Sequence, residues 1–170
     1  MSIPLFKVFM SQDAIEPVNN VLMSGNLTQG SQVEKYENVL SEYLGNSRVL
    51  SLNSATSGLT LALKMCDLGP DDVVLTPALT CFATTAAILA NNLKLRWIDV
   101  DPRTSNVDLD DLKSKLSPRT KVIMVVHWGG NPVDLDKLRD LQDYSLAQFG
   151  FRPQIIEDCA HAFGAEYGGK

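Results

Sequence analysis

The sequence predicts an α/β fold: a mainly parallel sheet covered by helices on both sides. Two short runs, VVL at residues 73–75 and VIMVV at 122–126, are apolar on both faces, the mark of strands buried from above and below. Helical periodicities alternate with such runs from residue 48 onward, as in parallel sheets built from strand–helix–strand units. Polar clusters follow the strands directly, where open parallel sheets place their ligands. A chain of 170 residues, 45% of them hydrophobic, is long enough to build one domain around a core.

Residues 1–30 read as an arm and lead-in, and 31–170 as part of one large domain. The first helix is expected to begin at Ser31. Ser31 and Glu34 have the spacing of a capping box, Val33, Tyr36, Val39, Leu40, Tyr43 and Leu44 recur at helical intervals, and Gly45 supplies a stop. Strands are expected at 48–52, 72–76, 94–99, 121–126 and 154–157. Helices are expected at 57–66, 80–90, 108–116 and 134–149.

Charged residues make up 21% of the chain and its net charge is −5, without lysine or arginine clusters. That balance argues against disorder and against a dedicated nucleic-acid surface. Met1 is not followed by a basic and then an apolar segment, and Pro77 with several threonines interrupts the longest apolar stretch. Neither a signal peptide nor a membrane span is expected. Cys66, Cys81 and Cys159 are odd in number and widely spaced, which fits a reducing, cytoplasmic setting and no metal site.

Four clusters fall on one predicted rim, at the carboxyl ends of the strands: NSATSG (53–58), TPALTCF (76–82), HWGGN (127–131) and EDCAH (157–161). The first places small and hydroxylated residues at a helix start, where unpaired N–H groups and the positive end of the dipole favour an anion. Ser54, Thr56 and Ser57 add hydroxyls there; alternatively Thr56 only caps the helix. GxxxxGK[ST] and GxGxxG are both absent. Asp158 follows an apolar strand, a position that calls for a cationic partner, or else it caps a turn. His161 contacts a ligand oxygen or is a satisfied core histidine.

The segments SGNLTQGSQVEKYENVLSEYLG, NSATSGLTLAL, DDVVLTPALTCFAT, WIDVDPRTSNVD, RTKVIMVVHWGG and IIEDCAHAFGAEYGGK occur in this order over residues 24–170. In this the chain resembles the DegT/DnrJ/EryC1/StrS family of pyridoxal-phosphate-dependent sugar-nucleotide aminotransferases of fold-type I. The resemblance implies a three-layer large domain, incomplete on its C-terminal side. It also implies pyridoxal or pyridoxamine 5'-phosphate as cofactor, with Ala55, Thr56 and Ser57 at the phosphate, Asp158 at the pyridine nitrogen and His161 at the phenolic oxygen. Relatives carry an aromatic residue over the ring where this chain has Cys81, so either Cys81 or Phe82 takes that place, or both are core. His127 and Trp128 match a family segment without an assigned step.

By the same resemblance, glutamate or another amino acid donates the amine, a nucleotide-linked keto sugar accepts it, and the enzyme is a homodimer. The pathway implied is surface-polysaccharide or modified-sugar synthesis. The family's Schiff-base lysine lies beyond the ED motif, and no lysine among residues 1–170 matches it. The chain is therefore expected to be an inactive fragment of a longer enzyme, poorly soluble alone. A non-catalytic family member, a sugar dehydratase of the same family and a nucleotide-binding module stay open as alternatives.

Overall fold

A computed structural model describes residue 3 and residues 7–169, grouped in two compact units, Met1–Ser51 and Leu52–Lys170.

The first unit carries helices α1 (Ile15–Ser24) and α2 (Ser31–Leu44). Helix α1 lies within the stretch read from sequence as an arm. Pro17 falls in the first turn of the helix, where no intrahelical donor is needed. Gly25, at φ +70°, closes it. The expected capping box of α2 does not form, because Gly30 occupies the cap position and Ser31 is already helical. The stop at Gly45 is as expected: Gly45 is left-handed at φ +60°, its N–H donates to the Glu42 carbonyl, and the Asn46 N–H donates to that of Ser41. Neither helix buries a residue. The expected strand at 48–52 is absent. Its Ser51 N–H and hydroxyl donate instead to the Glu37 carboxylate at 2.7 and 2.8 Å, and these bonds, the backbone one first, lower the pKa of Glu37.

The second unit runs α3 (Ala55–Met65), β1 (Val73–Pro77), α4 (Phe82–Ala90), β2 (Lys94–Ile98), α5 (Leu109–Lys115), β3 (Thr120–Val126), α6 (Leu135–Phe149) and β4 (Gln154–Asp158). Four strands form one parallel sheet in the order β2-β1-β3-β4. The four remaining strand expectations and the four helix expectations of this unit hold to within about two residues, ordinary uncertainty for element ends. Asp108 and Asp134, read as helix starts, are N-caps whose carboxylates accept N–H groups of the first turn.

Strand side chains alternate between two layers. On one face Val74, Val122, Met124 and Ile156 pack with Leu59 and Leu63 of α3 and Ala87 and Ile88 of α4. On the other, Leu75, Ile123, Val125 and Ile155 pack with Leu112 of α5 and Leu138 and Leu141 of α6. This sandwich explains why VVL and VIMVV are apolar throughout. It also sends Asp158, two residues after Ile156, toward the α3/α4 layer, and Glu157 toward the opposite one. The register pairs Val126 with Asp158, so β3 and β4 end level on the same rim.

Candidate functional site

Helix α3 leads into β1 and runs back against the strand direction, so its start belongs to the carboxyl rim of the sheet. Its N-cap is Ser54 rather than Thr56: the Ser54 hydroxyl accepts the Ser57 N–H at 3.1 Å and lies 3.0 Å from the Ser57 hydroxyl. The N–H groups of Ala55 and Thr56 have no acceptor among the described residues. Ala55 is exposed, Thr56 and Ser57 half-buried. Two free donors at a helix start make a fitting seat for a phosphate. Replacing Ser54 with Ala is expected to destabilise the protein by about 1 kcal/mol, read from the urea midpoint; an unchanged midpoint would show that the cap contributes nothing.

Asp158 closes β4 with 9% of its surface exposed. Its Oδ1 accepts the Ala160 N–H at 3.1 Å and its Oδ2 accepts the hydroxyl of Thr84, on α4, at 2.8 Å. Both donors are neutral, and no cationic side chain pairs with Asp158 among the described residues. A buried carboxylate in that condition is suited to a cationic ligand.

His161 is exposed, so the core-histidine alternative does not hold. Its Nδ1 accepts the Gly129 N–H at 3.2 Å, and its ring stands edge-on to Trp128 with centroids 5.1 Å apart. An acceptor at Nδ1 places the proton of the neutral ring on Nε2. That N–H has no protein partner among the described residues and is available to a ligand oxygen.

Cys81 and Phe82 are also exposed, Phe82 to 74%. The core reading of this pair is thereby overturned. Cys81 is the N-cap residue of α4, without a side-chain bond.

His127 and Trp128 acquire places in the architecture. His127 is buried, at 4% exposure. Its N–H donates to the Asp158 carbonyl at 3.2 Å, its Nε2 meets the Glu157 carboxylate at 2.9 Å, and its Nδ1 accepts the Val133 N–H at 3.0 Å. Its neighbours pull in opposite directions. The Cys159 sulfur first, then Glu157, favour a proton on the ring and raise the His127 pKa, whereas the Val133 N–H requires a lone pair on Nδ1. The Val133 donor belongs to the backbone and cannot be withdrawn without moving the loop. We therefore assign the neutral tautomer, with Nε2–H donating to Glu157. Asn106, which sequence reasoning missed, braces the same loop: its Oδ1 accepts the Trp128 N–H and its Nδ2 donates to the Asn131 carbonyl, both at 2.9 Å.

The bond from His127, ahead of desolvation, holds the Glu157 pKa below its ordinary 4.5. A depressed carboxylate contributes stability that is present above the unfolded-state pKa and lost as pH falls through the folded one. Urea melts should accordingly weaken below about pH 4.5, less so in Glu157→Gln; equal acid sensitivity in that variant would remove the pair as a source.

A family model for the DegT/DnrJ/EryC1/StrS aminotransferase family matches residues 9–170. The chain belongs to this family. Among solved structures, this family member superposes on AtS13 from Actinomadura melliaura with a TM-score of 0.92 and 52% identity, covering 95% of this chain and 44% of that one. The putative sugar aminotransferase Spr1654 from Streptococcus pneumoniae, in its PLP form, gives a TM-score of 0.87 at 30% identity, over 96% and 44% of the two chains. The UDP-4-amino-4-deoxy-L-arabinose–oxoglutarate aminotransferase of Shewanella sediminis is 34% identical over 167 residues, 98% of this chain and 42% of that protein. This member of the family thus spans less than half the length of the relatives it matches.

Proposed function

We propose that the chain is the cofactor-holding part of a pyridoxal-phosphate-dependent aminotransferase that converts a nucleotide-linked keto sugar to an amino sugar, with an amino acid such as glutamate as donor. The observation that carries this reading is Asp158, a buried carboxylate with two neutral donors and no cation, ending a strand beside the free Nε2–H of His161. When bound, the cofactor supplies an electron sink for carbanion charge. Asp158 would keep the ring nitrogen protonated, as that chemistry requires. His161 would donate from Nε2 to the phenolic oxygen. The N–H groups of Ala55 and Thr56, with the hydroxyls of Thr56 and Ser57, would hold the phosphate. Cys81 or Phe82, both on the open side of α4, would cover the ring and exclude water.

The lysines with ion-pair partners, Lys94, Lys115 and Lys137, bond to Asp71, Asp111 and Asp134. None pairs with a residue proposed for the cofactor. The lysine that carries the cofactor at rest is in this reading supplied from outside residues 1–170, and these residues alone do not turn over. Residues 31–170 would then be one part of the large domain, with the parent enzyme a cytoplasmic homodimer. No helix among the described residues is long and apolar enough to cross a membrane.

The test is amine transfer from an isotope-labelled amino acid to nucleotide-linked keto sugars by the full-length protein. Label recovered in the sugar supports the reading. Its absence, or loss of a sugar hydroxyl instead, overturns it, the latter in favour of a dehydratase.

A further inference from the structure

Among the described residues Thr84 is the one buried side chain that hydrogen-bonds Asp158, across 74 residues of sequence. It lies in the first turn of α4, fully shielded from solvent. Its N–H is already used, donating to the Cys81 carbonyl at 3.1 Å. Its hydroxyl stands between two oxygens: 2.8 Å from Asp158 Oδ2 and 2.8 Å from the hydroxyl of Thr80. A carboxylate has no proton to give, so Thr84 must be the donor in the first contact. Its single proton is then committed, and Thr80 must be the donor in the second.

We propose that Thr84, oriented by Thr80, is the positioning residue for the Asp158 carboxylate, and so sets the plane in which that carboxylate meets the cofactor ring. The torsion that turns an aspartate carboxylate is broad, and the Ala160 N–H on Oδ1 alone leaves it free to swing. A second donor on the opposite oxygen, rooted in a helix packed on the sheet, removes that freedom. The same turn of α4 begins at Cys81, the candidate cover of the ring. One helix start thereby holds the partner of the ring nitrogen and presents the residue over the ring face. This inference rests on the reading of Asp158 as the partner of the pyridine nitrogen.

Thr84→Val keeps the shape and removes the hydroxyl; Thr84→Ser keeps the hydroxyl and removes a methyl. Each is made in the full-length protein and titrated with pyridoxamine phosphate, following protein fluorescence and the pyridine-nitrogen NMR signal of the isotope-labelled ligand. Thr84→Val is expected to bind about ten-fold more weakly, the scale of one hydrogen bond to a charged group, with the nitrogen signal displaced toward that of free ligand. Thr84→Ser should stay within about two-fold of the parent. Thr80→Val, at a half-buried position, should lose about three-fold by freeing the Thr84 hydroxyl to rotate.

Parent affinity and an unmoved nitrogen signal in Thr84→Val overturn the proposal. So does Thr84→Ser as weak as Thr84→Val, which assigns the effect to packing. If Thr84→Val does not fold, Thr80→Val decides, and parent affinity there overturns the relay. Asp158→Asn separates the two layers of inference. Parent affinity in that variant means the reading of Asp158 has failed and this one with it; lost affinity there, with intact binding in both threonine-to-valine variants, means that only this one has failed.

Discussion

Replacing Asp158 with Asn is expected to weaken pyridoxamine phosphate binding by the full-length protein about 100-fold, the scale of a buried charge-assisted hydrogen bond, while the fold stays intact. The asparagine carbonyl can keep the Ala160 N–H that now binds Oδ1. Its amide would face Thr84 as a donor, and the hydroxyl relay can reverse, Thr84 donating to Thr80. Every buried polar group retains a partner, so the urea midpoint should move by less than about 1 kcal/mol. Only the charge is lost, and with it the reason for a ring nitrogen to stay protonated at this spot. Equal affinities of parent and variant, measured by titration, would remove Asp158 from the cofactor site.

The sheet was legible in the sequence because burial on both faces leaves a composition signal that no surface strand shares. VVL and VIMVV are apolar at every position since one face meets α3 and α4 and the other α5 and α6. Features decided by a single alternative hydrogen bond were not legible. The 48–52 segment has strand-like residues, but Ser51 commits its donors to Glu37. Ser31 and Glu34 have capping-box spacing, but the helix starts one residue earlier than that box needs.

The candidate site divides along the same line. Asp158 stood out because a carboxylate ending an apolar strand is costly unless paired, and His161 by its place three residues on in the same cluster; the structure ends β4 at Asp158 and puts His161 just past it. Thr84 was invisible because its partner is far away in sequence. A threonine pair in the apolar helix run FATTAAILA was the available signal: a shielded hydroxyl must find an acceptor, and whereas Thr85 takes the Phe82 carbonyl of its own turn, Thr84 reaches across to Asp158. The cap offered as an alternative at Thr56 falls on Ser54, two residues earlier, since SATS holds several hydroxyls and only geometry selects among them.

Gly130→Ala is expected to destabilise the protein by about 3 kcal/mol, combining left-handed backbone strain with a steric clash, against about 1 kcal/mol for Gly129→Ala, which incurs only the strain. Both glycines are left-handed, at φ +83° and +63°. A Cβ on Gly129 would meet nothing within 4 Å, whereas one on Gly130 would stand 3.0 Å from the His161 carbonyl oxygen. That oxygen belongs to the backbone and cannot rotate aside, so one of the two loops must move. Gly129 holds the other end of His161, its N–H on Nδ1. The loop after β3 is therefore a socket for the loop after β4, and displacing it should shift the His161 imidazole NMR signals and lower affinity for pyridoxamine phosphate together. Urea melts of the two variants check the first part. Equal costs for both substitutions would mean that the close approach at Gly130 is not what constrains His161, whose orientation would then rest on the Gly129 N–H and the Trp128 edge.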